Sequence, residues 1–210
     1  MLLQVSYFEN DIDKESLKKT FNELSCDPYV KEGFRYKNII RVIHRNGDII
    51  ETEHGPLYQS GVINPTHGDL IRMYPKLVMT DSIKKIIKYF IQESRIKDGE
   101  EILVQAQRIT TSQEIQGQPA IEGFHRDGVN ILGVFCVARE NIEGGINQFK
   151  MSNTNTIYSE MLLKPGHMVV VDDTRNFHYA TPIVQIDNMK PSYRDVILFG
   201  TPACRIPDLN

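Results

Sequence analysis

From residue 101 onward the chain is a succession of short runs rich in β-branched and aromatic residues, with turn residues between them and no helix of good periodicity. The runs lie at 102–109, 130–138, 146–149, 168–171 and 195–199. Parallel strands need long crossovers, usually helices, so their absence here predicts antiparallel pairing. Several short antiparallel strands within about a hundred residues predict a sandwich or jelly roll. An earlier pair, 38–44 and 48–53, meets across Arg45-Asn46-Gly47 and reads as a hairpin, because Asn-Gly accepts the positive φ of a tight turn.

Two helices precede the β-rich half. Leu17, Phe21 and Leu24 recur at helical spacing behind Asp13 as N-cap. Further on, Thr80 or Asp81 caps a stretch with Ile83, Ile86, Ile87, Phe90 and Ile91 on one face and Lys84, Lys85 and Lys88 on the other. Both predict helices laid on the outside of a sheet. Segments 112–120, 150–159 and 185–192 read as loops, and 52–69, dense in Gly and Pro, as a long functional loop. Nothing separates a second domain, so 1–210 is expected to fold as one unit. Its first hundred residues would shape a substrate pocket, and 101–202 would form the core.

Composition excludes some partners. The net charge is −3 with basic residues scattered and no Trp, which argues against a nucleic-acid groove. Cys26, Cys136 and Cys204 are odd in number and far apart, as expected for free thiols in a reducing compartment. The start carries no basic n-region followed by an apolar stretch, and the longest apolar run, 131–138, is too short to span a bilayer. The expectation is a cytoplasmic protein with no membrane contact; open sheet edges also admit a homodimer.

The chemistry concentrates in Glu122-Gly-Phe-His-Arg-Asp-Gly128. On a strand, residues i and i+2 face the same way, so His125 and Asp127 would project into one cavity. His178, where an apolar strand runs through Asp172-Asp173 into a polar turn, is the best third ligand. His44, His54 and His67 precede the β-rich region and have no carboxylate at ligand spacing on a convincing strand, and His167, at a strand entrance beside Gly166, reads as a surface residue. Two histidines and one carboxylate on one face leave adjacent positions open, the arrangement of non-haem iron(II) oxygenases. Zinc accepts the same set, so a jelly-roll binding protein with a structural metal, or none, is the rival reading. Arg194 separates them. It begins an apolar strand, where a guanidinium needs an anion, and a dicarboxylate chelating the metal would offer one. Pairing with Asp195 or Asp187 is the alternative.

These residues, with Gly144-Gly145, Pro165-Gly166, Thr181-Pro182-Ile183 and Tyr193-Arg194-Asp195-Val196, make residues 101–202 resemble the bacterial iron(II)/2-oxoglutarate dioxygenases that act on free L-amino acids, the isoleucine dioxygenase type. The resemblance implies a mainly β protein with flanking α, built on a double-stranded β-helix (jelly roll, cupin-like). It implies Fe(II) on His125, Asp127 and His178, and use of 2-oxoglutarate and O2 to hydroxylate an unactivated C–H bond of a small molecule, a free L-amino acid, with release of succinate and CO2. The same chemistry on a peptide or natural-product intermediate is the alternative. It also implies a cosubstrate site at Arg194 with Gln107 and Thr181, on a pocket strand that includes Gln105 and Arg108. For the substrate, Glu122 would meet an amine and Arg35 a carboxylate, with Phe124, Tyr36, Tyr58 and Phe177 as walls.

Overall fold

A computed structural model describes residues 3–8, 12–64, 68–152 and 154–206; His67 lies outside them. Two helices and twelve strands are formed: β1 (Leu3–Tyr7), α1 (Lys14–Asn22), β2 (Arg35–Arg45), β3 (Asp48–Glu51), α2 (Asp81–Ser94), β4 (Glu101–Thr110), β5 (Ile131–Glu140), β6 (Ile142–Gly144), β7 (Asn147–Met151), β8 (Ile157–Met161), β9 (His167–Asp172), β10 (Asn176–Ala180), β11 (Ile183–Gln185) and β12 (Tyr193–Thr201).

The large sheet has the order β1-β9-β5-β12-β4-β2-β3, with every neighbouring pair antiparallel. A three-stranded sheet, β10-β7-β8, and a two-stranded one, β11-β6, complete the β structure. This is the mainly β jelly roll with flanking helices that the sequence predicts. The β2–β3 turn carries positive φ at Asn46 and Gly47, as a tight hairpin requires.

Alternation along the strands divides the large sheet into two unlike faces. Its outer face presents Ile40 and Val42 of β2, Val104 and Ala106 of β4, Phe135 of β5, Met168 and Val170 of β9, and Ile197 and Phe199 of β12. The helices cover it. Asp13 accepts from the backbone N–H groups of Glu15 and Ser16 to start α1, and Thr80 caps α2 through Ile83 N. Helix α2 buries Ile83, Ile86, Ile87 and Phe90, and Phe90 stacks on Phe199 with ring centroids 4.5 Å apart. The approach is close enough that a Cβ on Gly133 would lie 2.6 Å from the Phe90 ring, which is why glycine stands there.

The inner face carries Leu132, Val134 and Cys136 of β5, Val169 and Val171 of β9, and Val196 of β12, packed with Phe149 from the smaller sheet. At its β2, β4 and β12 end the same face turns polar, with Arg35, Lys37, Gln105, Gln107 and Arg194 all buried. Burying such groups is costly unless something meets them, so a ligand site is expected here.

Segment 150–159, read as a loop, contains the start of β8, and β1, β6, β10 and β11 were not anticipated. Each has five residues or fewer, too short for alternation to register. No helix among the described residues is long and apolar enough to cross a membrane.

Candidate active site

His125 and Asp127 do not share a regular strand. His125 forms a single antiparallel bridge with His178, their backbones exchanging hydrogen bonds of 3.0 and 2.9 Å, and the chain then turns through Gly128 at φ 79°. That turn is fastened by Asp173, which is 1% exposed and accepts from the backbone N–H groups of Asp127, Gly128 and Val129 at 3.0–3.3 Å. The two ligand candidates of the motif therefore face the same way because a buried carboxylate folds the backbone around itself.

The imidazole rings of His125 and His178 lie 4.3 Å apart between centroids. Their Nε2 atoms stand 3.9 and 3.6 Å from the two oxygens of Asp127. One donor atom from each of the three residues falls within 4.8 Å of the others, and this is the one such His/Cys/Asp/Glu group among the described residues. The other ring nitrogens are occupied elsewhere. His125 Nδ1 is 2.8 Å from the Gly123 carbonyl, which fixes it as the protonated nitrogen and leaves Nε2 a lone pair. His178 Nδ1 lies 3.4 Å from Asp173 Oδ1, too far and too skewed for a full hydrogen bond but well placed to orient the ring. Asp172 shapes the turn instead, accepting from Thr174 N at 3.0 Å.

The electrostatics follow from this packing. Burial alone would raise the Asp127 carboxyl, yet His178, His125, Lys37 and the Gln59 amide together hold it below the usual range. Burial opposes the charged form of His178, but Asp173, Asp127 and Glu122 outweigh it and lift the imidazole above its ordinary value. A divalent cation resolves the crowding by replacing those protons. The donor set and its spacing fit a non-haem iron.

The triad opens into a cleft of about 990 Å³, mouth included, between the inner face of the large sheet and the smaller sheet. At one end lies Arg194, 2% exposed. Its Nη2 donates to Asn147 Oδ1 at 3.3 Å, and among the described residues its Nε has no partner and no carboxylate pairs with it. Burial pushes it down to about 10. Neither alternative partner is available: Asp195 is held by Arg108 through two bonds of 2.7 Å, and Asp187 pairs with Lys190. A Cβ on Gly145 would come within 3.1 Å of the Arg194 side chain, so glycine there leaves it room. A buried, under-satisfied guanidinium in sight of a metal triad fits the distal carboxylate of a dicarboxylate.

Gln107, Glu122 and Arg35 line the cleft, as does Gln105, whose buried Oε1 lacks a partner. Arg35 is committed to Asp27 at 2.6 Å. The remaining candidates lie off the wall. Tyr36 sits on the opposite face of β2, against the helix-covered core. Phe124 packs on Tyr179, and Phe177 lies beside Lys150 and Arg126. Tyr58 donates to Asp69 at the surface. Thr181 accepts from Ile146 N at 3.0 Å and fastens the chain before β11. Arg108 points to the outer face, because β4 alternates and 108 is out of phase with 105 and 107.

Gln59, Arg72 and Lys37 are among the wall residues that were not anticipated. Gln59, on the long loop, donates to Asp127 O at 2.9 Å and Oδ1 at 3.2 Å. Arg72 donates to Gln59 Oε1. Lys37, two residues from Arg35 on the same strand face, could have been found by alternation; nothing in the sequence marks Arg72. Lys37 is 6% exposed, and burial, with Arg35 and Arg72 nearby, pushes it down to about 7 from an ordinary value of 10.5. Between these two values the unfolded chain holds a proton that the folded chain has shed, so stability rises with pH across that window. Lys37→Met should therefore stabilise the ligand-free protein by on the order of a few kcal/mol at and below neutral pH, the gain fading towards pH 10. Urea unfolding over a pH series checks this, and a gain that does not change with pH would contradict it.

Residues 18–200 match the model of the 2OG-Fe dioxygenase family. The 3(1)-hydroxy-L-isoleucine 4-dioxygenase of Pantoea ananatis (strain AJ13355) is 25% identical over 209 residues, covering 93% of this chain and 84% of that protein. Among solved structures, a bsmA homolog from Methylobium petroleophilum PM1 superposes with a TM-score of 0.76 at 21% identity, over 92% of this chain and 82% of that one. IDO from Bacillus thuringiensis does so with a TM-score of 0.70 at 16% identity, over 91% and 83%.

Proposed function

The chain belongs to the 2OG-Fe dioxygenase family, and on that premise we propose that it hydroxylates an unactivated C–H bond of a free L-amino acid, with iron held by His125, Asp127 and His178. The enzyme class and its requirements, Fe(II), 2-oxoglutarate and O2, come with the family. The observation that carries the ligand assignment is the convergence of the three donor atoms beside a buried guanidinium with no anion of its own.

When bound, the iron and 2-oxoglutarate supply the oxidising power for attack on C–H. The protein's residues supply placement. His125 and His178 present Nε2 because Gly123 O and Asp173 occupy the other side of each ring. Arg194 would hold the far carboxylate of 2-oxoglutarate, its buried guanidinium having no anion among the described residues. Val134, Val196, Leu198 and Phe149 give the same cleft an apolar part of its wall. A structural metal site has no use for a buried cation at this depth, which favours catalysis over mere metal binding.

The free amino acid is favoured by the likeness to a relative named for its action on 3(1)-hydroxy-L-isoleucine and by a cleft carrying both cationic and anionic side chains. Succinate release measured across a panel of free L-amino acids, with products identified by mass and NMR, tests it. One or more aliphatic members should stimulate turnover well above the uncoupled background. If none does, the substrate is not a free amino acid, although the oxygenase chemistry stands.

A further inference from the structure

We propose that Lys37 and Arg72 form a second anion receptor in the cleft, distinct from Arg194, which takes the carboxylate of the substrate. The proposal deepens the amino-acid reading above and rests on it for the substrate's class.

Arg35 is the nearest conventional choice for this task, but Asp27, fully buried, already neutralises it at 2.6 Å. Lys37 and Arg72 have no such close counter-ion among the described residues. The Lys37 ammonium feels the Asp127 and Asp27 carboxylates only at longer range and makes no ion pair with them; it lies over the Tyr74 ring, 4.9 Å from Nζ to centroid. Arg72 is 3% exposed, donates to the neutral amide of Gln59, lies beside the buried Tyr74 hydroxyl, and leaves Nε without a partner among the described residues. Two buried cations in one wall, neither paired, are costly in the empty protein and become favourable once a carboxylate arrives.

The position suits a substrate rather than a second cosubstrate. Lys37 is on β2 and Arg72 on the segment after the long loop, whereas Arg194 is on β12, across β4 from β2. The cleft thus has separate cationic groups in its two halves, with the triad also in its wall. Gln59 joins the two functions. Its carbonyl accepts from Arg72 and its amide donates to the Asp127 carboxylate, so Arg72 stands two hydrogen bonds from the metal ligand. A carboxylate bound to Arg72 fixes where the aliphatic part of the molecule lies relative to the triad.

The test uses the full-length protein loaded anaerobically with Fe(II) and saturating 2-oxoglutarate, titrated calorimetrically with 3-methylpentanoate and, in parallel, with its uncharged amide. The wild type should prefer the carboxylate by about tenfold to a hundredfold, the usual value of hydrogen bonds to a charged group. Lys37→Met and Arg72→Gln should each erase most of that preference while leaving amide affinity and 2-oxoglutarate affinity unchanged. Lys37→Met, expected to be more stable than the wild type, keeps the test informative if Arg72→Gln folds poorly. Absence of a carboxylate preference in the wild type, or its survival in Lys37→Met, overturns the proposal. If no free amino acid is turned over but the preference holds and falls in the variants, the receptor stands and the amino-acid reading alone fails.

Discussion

Asp127→Ala should reduce coupled turnover by on the order of a thousandfold, the loss expected when a metal contributing several kcal/mol is no longer held. The fold should survive. Asp173 fastens this turn through backbone N–H groups, one of them from residue 127, and Gln59 donates to its backbone carbonyl; neither contact needs the carboxylate. The remaining His125 and His178 still bridge each other through their backbones. Iron content after gel filtration, succinate release and near-ultraviolet circular dichroism separate loss of metal from loss of structure. An Asp127→Ala protein that kept its iron and turned over within tenfold of the wild type would remove this residue from the ligand set.

Arg194→Met should weaken 2-oxoglutarate binding by on the order of a hundredfold to a thousandfold, because truncating one partner of a buried charge pair costs about 2–5 kcal/mol. Iron affinity should change little, since nothing connects the guanidinium to the triad by a hydrogen bond. In the ligand-free state the variant should be no less stable than the wild type. The guanidinium is buried with a single long bond to Asn147 and an orphaned Nε, so methionine removes a desolvated charge and fills similar volume. Anaerobic titration of 2-oxoglutarate into the iron-loaded variant, beside a direct iron titration, gives both numbers. Equal losses of the two affinities would show that Arg194 supports the site in some other way.

The parts of this molecule that were legible in its sequence are those with a long periodic signal. Helix α2 announces itself through Ile83, Ile86, Ile87 and Phe90 behind Thr80, and β4, β5 and β12 through sustained apolar character. Of the strands of three to five residues, β3 was legible through its Asn-Gly turn and β7 through its apolar run, while β1, β6, β10 and β11 gave no such signal, because their pairing is set by what lies opposite. At the candidate site the structure brings His125, Asp127 and His178 together, as expected, but the argument used to group them only half applies. The i, i+2 rule assumed a strand, and the geometry is instead created by Asp173, whose turn-forming and ring-orienting tasks are combined in one buried carboxylate. Arg194 was legible because a cation on an apolar strand demands an explanation. Tyr36 was misplaced by a single residue of phase: Lys37, next to it, faces the cleft. Gln59 and Arg72 lie on irregular backbone, where no periodicity tells a side chain which way to point.

The two unlike faces of the large sheet have a consequence for how such an enzyme diversifies. On β2, β4 and β12, neighbouring positions have different tasks: one residue packs under the helices and the next lines the cleft. Substitutions at 37, 105 and 107 should therefore alter the cleft without disturbing the packing under α1 and α2, whereas Arg35 is held by the buried Asp27. A deletion of one residue in β4 would instead exchange the two roles along the rest of the strand. A library intended to shift specificity should therefore vary alternate codons of β2 and β4 and leave the intervening ones untouched, and its inactive members should trace to length changes far more often than to substitutions.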